Sequence, residues 1–494
     1  MALLLVGGVL QFGHNVCWIG SLCMTDNITQ PLAERELRGA NLCQTLHWLA
    51  ADRISATDLC DYYLAAIARD NPRFNAYVHV NGAARGEARA ADARRAGGVF
   101  GRLEGVPVSV KDNLDVAGLP TRCGMPAPAA PAARDAHVVE RLRHAGAVIL
   151  GKTHVPEASL VASSANPHTG AAHNPFRHGF EAGGSSGGAA AAVASGLCAV
   201  AIGTDSLGSI RIPASYCGVF GLKPTSAEIS THGMLPAARR LDCIGMIARC
   251  VDDLSILLHV LAGYDAEDSR SRRRRVDLAL PDWEPGKLRV GVLGDLAALG
   301  TAPAVVAAFD SARTVLAQEL ENCRIVDFGD FPIQRARRAA FFLIETEILL
   351  THARALADAA HPVSSELTRL LDYARGKSAA DYALADRLID DAGVAARRLF
   401  AQVDVLVTPT TPQPAFALGS PLPDNQGDFT SFANMSGCPA ITIPMGATPD
   451  GLPLGLQFLG PPGSDLRLLE LAEVCSAALD TTPEYPVGVE TDKA

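Results

Sequence analysis

Apolar residues along the chain recur with two different spacings, and these mark out its elements. Ser55-Ala56-Thr57-Asp58 has the form of a capping box, and Leu59, Tyr62, Tyr63, Ala66 and Ile67 follow it at helical spacing. That predicts a helix stopped by Asn71-Pro72. Gly105 to Val110 is a short apolar run and predicts a buried strand that ends at Lys111-Asp112-Asn113. Val138 to His144 predicts a helix, and Ala147 to Leu150 the strand after it. Residues 171–188 are rich in Gly, Ser, His and Pro and predict a loop. Ala189 to Ser195 predicts an Ala-rich helix, and Leu197 to Ile202 a further strand. Helices alternating with wholly apolar strands predict an α/β fold whose sheet is covered on both faces.

The second half is more helical. Residues 264–290 shift to Asp, Arg, Ser and Pro and predict an excursion or linker. Residues 303–320 and 333–400 are rich in Ala, Leu and Arg and predict helices. Strands return near Val405 to Val407 and Ala440 to Ile443, and Leu466 to Ala478 predicts a late helix. There is no internal repeat. Similar features at both ends bracket the helical middle, which predicts one discontinuous domain over residues 24–488 with a variable helical insertion at about 264–400.

Composition narrows the function classes. Hydrophobic residues at 48% against charged residues at 19% supply a core and exclude global disorder. A net charge of -10 excludes a general electrostatic pull toward nucleic acid, and aromatics at 5% are poor material for base stacking. The run Arg272 to Arg275 follows Asp265, Glu267 and Asp268 and reads as a solvated loop. Twelve Cys occur without any C-x-x-C pair, which predicts reduced thiols and a cytoplasmic setting. Residues 1–23 carry no charged side chain, and the first basic residue is Arg35. A signal peptide would open with basic residues, and Gln11, His14 and Asn15 interrupt a membrane span. Residues 1–23 therefore read as an apolar extension outside the fold, with an anchor or export signal as the alternative. No membrane association is expected.

Three segments bear on chemistry. Gly146 to Thr153 (GAVILGKT) matches the P-loop letter for letter, but its middle residues are themselves the strand, and His154-Val155-Pro156 is a poor helix start. Nucleotide binding is not expected there. Gly183-Gly184-Ser185-Ser186-Gly187-Gly188 contains G-x-S-x-G, yet 174–179 does not read as the strand that a nucleophile elbow needs. Gly203 to Pro213 leads from an apolar strand ending at Gly203, through small residues, to Ser209 near a helix start. Such a turn can aim consecutive N–H groups at an oxyanion. The 13 His form no H-E-x-x-H or other close ligand pair, so no metal is expected. Cys217 and Cys243 lie in apolar surroundings that favour inert thiols.

Lys111, Ser185 and Ser209 follow in that order, and together they resemble the amidase signature family. The likeness extends over GVPVSVKDNLDVAGLPT (105–121), GAVILGKT (146–153), GGSSGG (183–188), GTDSLGSIRIPASYCGVFGLKPT (203–225), DVLVTPT (404–410), FANMSGCPAITIPMG (432–446) and GLPLGLQFLG (451–460). It implies a large mixed central β-sheet with helices on both faces. It implies Ser209 as nucleophile, Ser185 as a bridging serine after a cis peptide, and Lys111 as base. It also implies oxyanion-hole amides from Ser206, Leu207 and Gly208, together with Ser209 itself. Ser186, Asp205 and Arg211 would support the loops, the last two as an ion pair. Leu207 replaces the first glycine of the usual T-D-x-G-G-S, which bears on the acyl pocket.

The implied activity is hydrolysis of a small carboxamide or carbamoyl compound without a cofactor. Residues 230–243 (STHGMLPAARRLDC) lean toward the amidase domain of allophanate hydrolases, and the carboxyl-terminal motifs toward general amidases. The alternatives are an allophanate or urea-derivative hydrolase, and the A-type subunit of a tRNA-dependent amidotransferase. Ile212 stands where members of the latter kind tend to have Gln. A homo-oligomer is compatible with the sequence, and the expected partner is a small-molecule amide.

Overall fold

The computed structural model describes residues 32–272, 287–320 and 322–486, plus short strands at Leu5–Val6, Val9–Phe12 and Asn15–Trp18 that pair antiparallel among themselves. Apart from those backbone segments, the expectation for residues 1–23 lies outside the described residues. So do Arg273 to Arg275 of the basic run and most of the 264–290 excursion.

Eleven of the described strands form one sheet. In chain order they are β1 (Tyr77–Val80), β2 (Pro107–Lys111), β3 (Val148–Thr153), β4 (Val200–Asp205), β5 (Phe220–Lys223) and β6 (Cys243–Ala248). They continue as β7 (Arg289–Leu293), β8 (Asn322–Val326), β9 (Val405–Pro409), β10 (Ala440–Ala447) and β11 (Pro453–Leu459). The order across the sheet is β8-β7-β9-β11-β10-β5-β6-β4-β2-β3-β1. The sheet is mixed: β2 runs parallel to both β3 and β4, whereas β4 is antiparallel to β6. Every residue of β2, β3, β4 and β6 is buried, so both faces are covered there. One contiguous apolar cluster draws on residues from Leu37 to Cys475.

Several boundaries differ from the sequence expectations. The first predicted helix runs Ala56–Phe74 and carries Pro72 inside its last turn, with Asn75 as a left-handed cap. Leu59, Tyr63, Ala66 and Ile67 bury its apolar stripe and carry it past the proline. The expected loop 171–188 contains the hairpin strands His173–Asn174 and Arg177–Glu181, so a strand does precede GGSSGG. That strand belongs to a separate two-stranded hairpin, not to the main sheet. The Ala-rich helix begins earlier, at Gly187, and ends at Ala194. The next strand is shifted to Val200–Asp205, beyond the expected stop at Gly203. The predicted helical block 333–400 is broken into Ile333–Thr351, Ala353–Leu356, Ser365–Arg375 and Ala379–Phe400.

Candidate active site

β2 and β4 lie side by side inside the sheet, run parallel and end close together. Lys111 is the last residue of β2 and is fully buried. Its Nζ lies 2.8 Å from Ser185 Oγ, and it is within donating distance of Thr204 Oγ1 at 2.8 Å and of the Thr204 carbonyl at 3.4 Å. Thr204 Oγ1 also accepts from Asn113 Nδ2 at 3.1 Å. A carbonyl can only accept, and Thr204 Oγ1 already accepts from the amide. Those two contacts therefore suit the two N–H bonds of a neutral amine and leave its lone pair for the Ser185 hydroxyl. Burial favours the same state: it pulls the Lys111 amine down to about 7 from its ordinary value of 10.5.

Ser185 follows the cis peptide Gly184–Ser185. Gly184 is required by close approach, because a Cβ there would lie 2.1 Å from the Ser163 carbonyl oxygen. Ser163 is held in turn by the buried Glu181, which accepts from Ser163 Oγ at 2.8 Å and from the Ser164 N–H at 2.7 Å. Ser186 ties the two serine loops together. Its N–H donates to the Ser209 carbonyl at 3.1 Å, and its hydroxyl to the Thr204 carbonyl at 3.1 Å.

β4 ends at Asp205, and a tight turn leads to the helix Arg211–Tyr216. Asp205 organises that turn. Its carboxylate accepts from the N–H groups of Gly208 at 2.7 Å and Ile210 at 3.1 Å, and from Arg211 Nε and Nη2 at 3.0 Å each. Burial alone would push the Asp205 carboxyl up, but Arg211 and the other donors outweigh it and hold it at about 2. Arg211 is also fully buried and donates to the Thr430 carbonyl, Gln457 Oε1 and Asn434 Oδ1. The Gly208 N–H is therefore committed to Asp205, which differs from the role the sequence resemblance gives it. Among the described residues, the N–H groups of Ser206, Leu207 and Ser209 carry no hydrogen bond within the fold.

Ser209 is half-buried and lines a cavity of about 640 Å³ with Ser206, Leu207 and Ile212. Leu207 projects into that cavity, where the family pattern has glycine. The opposite wall comes from the helices Ile333–Thr351 and Ser365–Arg375.

Sequence reasoning missed Thr204, Asn113 and Asp242. Thr204 and Asn113 stood inside quoted motifs, one position from Asp205 and two from Lys111, and that adjacency was the available signal. Asp242 is buried and accepts from Ser206 Oγ at 2.5 Å and from the N–H groups of Ala237 and Ala238 at 3.0 and 3.1 Å. Burial raises its carboxyl to about 6. Lys152, from the P-loop look-alike, is wholly buried and paired with Asp112 at 2.9 Å, so it serves the fold. Burial pushes the Cys217 thiol up, as an inert thiol requires. Among the described residues there is no cluster of three or more metal-ligating side chains, and no helix is long and apolar enough to cross a membrane.

This architecture is that of a large class of C–N hydrolases. The Amidase family profile matches residues 58–469, and the chain belongs to the amidase signature family. Among curated relatives, it is 35% identical over 472 residues to the A-type subunit of glutamyl-tRNA(Gln) amidotransferase from Synechococcus sp. (strain RCC307). That alignment covers 87% of this chain and 96% of the relative. Among solved structures, it is similar to a chain from a vestigial protein complex tied to the origins of an s-triazine catabolic enzyme. There the TM-score is 0.83 at 31% identity, covering 90% of this chain and 100% of the other. It is also similar to 6-aminohexanoate cyclic dimer hydrolase in complex with its substrate. There the TM-score is 0.80 at 27% identity, covering 91% and 100%.

Proposed function

We propose that this chain hydrolyses a carboxamide to the acid and ammonia through an acyl-enzyme on Ser209. The observation that carries the reading is the buried Lys111 amine, 2.8 Å from Ser185 Oγ, in a loop whose Ser186 N–H donates to the carbonyl of the cavity-lining Ser209. An amide is a weak electrophile with a poor leaving group, so the nucleophile must be activated and the nitrogen protonated. Neutral Lys111 takes a proton from Ser185 as Ser185 takes one from Ser209. Ser209 Oγ then bonds to the carbonyl carbon. The resulting oxyanion rests on the N–H groups of Ser206, Leu207 and Ser209. The relay runs backward to protonate the nitrogen, the C–N bond breaks, and ammonia leaves. Water, activated by the same relay, hydrolyses the acyl ester. None of these steps needs a metal or cofactor.

The test is ammonia release by the purified chain from glutamine, aliphatic and aryl amides, and urea derivatives, with Ser209→Ala as control. Mass spectrometry of a quenched turnover should find the acyl group on Ser209. An adduct on another residue, or full activity in Ser209→Ala, removes the proposal.

The curated relatives favour a second reading of the same chemistry. A likeness of 35% over most of the chain to one component of a glutamyl-tRNA(Gln) amidotransferase supports glutamine as the amide and glutamyl-tRNA(Gln), held by partner chains, as the ammonia acceptor. Ile212 and Leu207, and the solved hydrolases among the structural relatives, favour a hydrolase acting alone. Partner-free turnover of non-glutamine amides selects the stand-alone enzyme. Glutamine turnover that appears only with partner subunits selects the other. Both readings suit the cytoplasm, and the ten cysteines among the described residues are all free thiols.

A further inference from the structure

Three peptide units link Asp205 to Gly208 in the nucleophile turn, and they are not held alike. In the first, Asn434 Nδ2 donates to the Asp205 carbonyl at 2.9 Å, which turns the Ser206 N–H the opposite way. In the third, Thr430 Oγ1 donates to the Leu207 carbonyl at 2.6 Å, and the Gly208 N–H donates to the Asp205 carboxylate at 2.7 Å. The middle unit runs from the Ser206 carbonyl to the Leu207 N–H. Among the described residues, it takes part in no main-chain hydrogen bond. Its polar hold is the Ser206 side chain, whose hydroxyl donates to Asp242 Oδ1 at 2.5 Å.

The sheet puts Asp242 in place for this contact. β4 and β6 pair antiparallel with Asp205 opposite Cys243, so the residues one step beyond, Ser206 and Asp242, come face to face. Asp242 is itself firmly anchored. Its Oδ2 accepts from the N–H groups of Ala237 and Ala238, its own N–H donates to the Ala238 carbonyl at 2.9 Å, and its carbonyl accepts from Arg270 Nη1 at 3.1 Å. It is buried and does not line the cavity, so its contact with the turn runs through Ser206.

We propose that Asp242 is a positioning residue for the hydrolysis: through the Ser206 hydroxyl it fixes the Ser206–Leu207 peptide, so that the Leu207 N–H faces the oxyanion. The proposal deepens the reading of Ser209 as nucleophile and rests on it. An oxyanion site works because its donors stand in place before charge develops on the substrate oxygen. A donor that must first rotate into line loses part of that benefit. The units on either side of this peptide are pinned by Asn434, Thr430 and Asp205. The Leu207 N–H depends on a side chain one residue away, and a hydrogen bond to a carboxylate is among the stronger ones that can hold it.

The decisive variant is Ser206→Ala, which removes the hydroxyl and leaves Asp242 its two N–H donors; thermal melts accompany it. For butyramide hydrolysis, kcat should fall by about 10-fold to 100-fold with KM unchanged, less than the loss of a whole donor. Ser206→Thr, which keeps the hydroxyl, should restore kcat. Asp242→Ala/Ser206→Ala should be no slower than Asp242→Ala, since the two residues act as one unit. Butylboronic acid probes the site apart from turnover. The Ser209 oxygen bonds to boron as its proton passes to the relay, which leaves a tetrahedral anion in the oxyanion site. Its Kd should rise about 10-fold to 100-fold in Ser206→Ala, stay at the parent value in Ser206→Thr, and Ser209→Ala should not bind. A parent that binds no boronate overturns the nucleophile reading and this proposal with it. If the parent binds and Ser209→Ala does not, a folded Ser206→Ala that keeps both kcat and Kd overturns this proposal alone. A loss confined to KM, or no rescue by threonine, overturns it too.

Discussion

The cavity floor rests on β2 and β4, in which every residue is buried, whereas its opposite wall includes the helix Ser365–Arg375, which is largely exposed. On the floor, the buried ion pair has several partners, some from distant parts of the chain. Asp205 and Arg211 alone bind four other segments, at 208–210, 430, 434 and 457. On the wall, helix Ser365–Arg375 buries little beyond Leu367, Leu371 and Ala374, and charged residues face the cavity. Burial in the floor favours the neutral form of its amine. The wall can change its charges without disturbing that amine. On the proposed mechanism, bond cleavage would therefore rest on the floor and leave the wall free to vary.

That contrast predicts a graded series of effects. Ser209→Ala should have the largest, lowering kcat by about 10⁴-fold or more with an unchanged melting temperature, read by ammonia assay and calorimetry.

Lys111→Met should come next, losing about 10³-fold or more in kcat at pH 7 while melting no lower than the parent. The parent should gain activity as pH rises through about 7, because the amine acts as a base only when neutral. Stability carries its own signature. The folded value of about 7 lies below the ordinary 10.5, so between them the unfolded chain binds a proton that the folded one does not. Stability from this group therefore rises from pH 7 toward pH 10.5, and Lys111→Met should flatten that slope. A Met variant that melts well below the parent would mean the amine is structural.

Asp205→Ala leaves Arg211 buried without its main counter-charge. It should cost about 3–5 kcal/mol in denaturant unfolding and lower kcat through the disordered turn.

Away from the floor, the partly exposed Arg240 pairs with Asp386 and Asp390 of the helix Ala379–Phe400. Arg240→Ala should cost less than about 1 kcal/mol and leave kcat within a factor of about two. A larger loss would show that the helices do govern the floor.

The floor was legible in the sequence because its elements are local apolar runs that end in the reactive residues. GVPVSV delivers Lys111, and the strand ending at Asp205 delivers the Ser209 turn. Gly203 looked like a strand end, but pairing with β6 continues through Thr204 and Asp205, so the ladder outlasted the apolar pattern. β7 and β8 flank a long helix and were hidden in a polar, Arg-containing composition, and β8 is almost wholly exposed. Asn71-Pro72 read as a stop, yet the packed stripe of that helix carried it one turn further. The wall was illegible for a different reason. Arg337 and Asp428 are 91 residues apart in the chain, and no local spacing announces such a pair.

The Ser209 turn has a further consequence during synthesis. Its clamps, Thr430, Asn434 and Gln457, belong to the last part of the chain to be made. Thr430 Oγ1 also holds the Leu207 carbonyl at 2.6 Å. A growing polypeptide carries Lys111, Ser185 and Ser209 long before these clamps leave the ribosome. On the proposed mechanism, hydrolysis should therefore begin only when translation is almost finished.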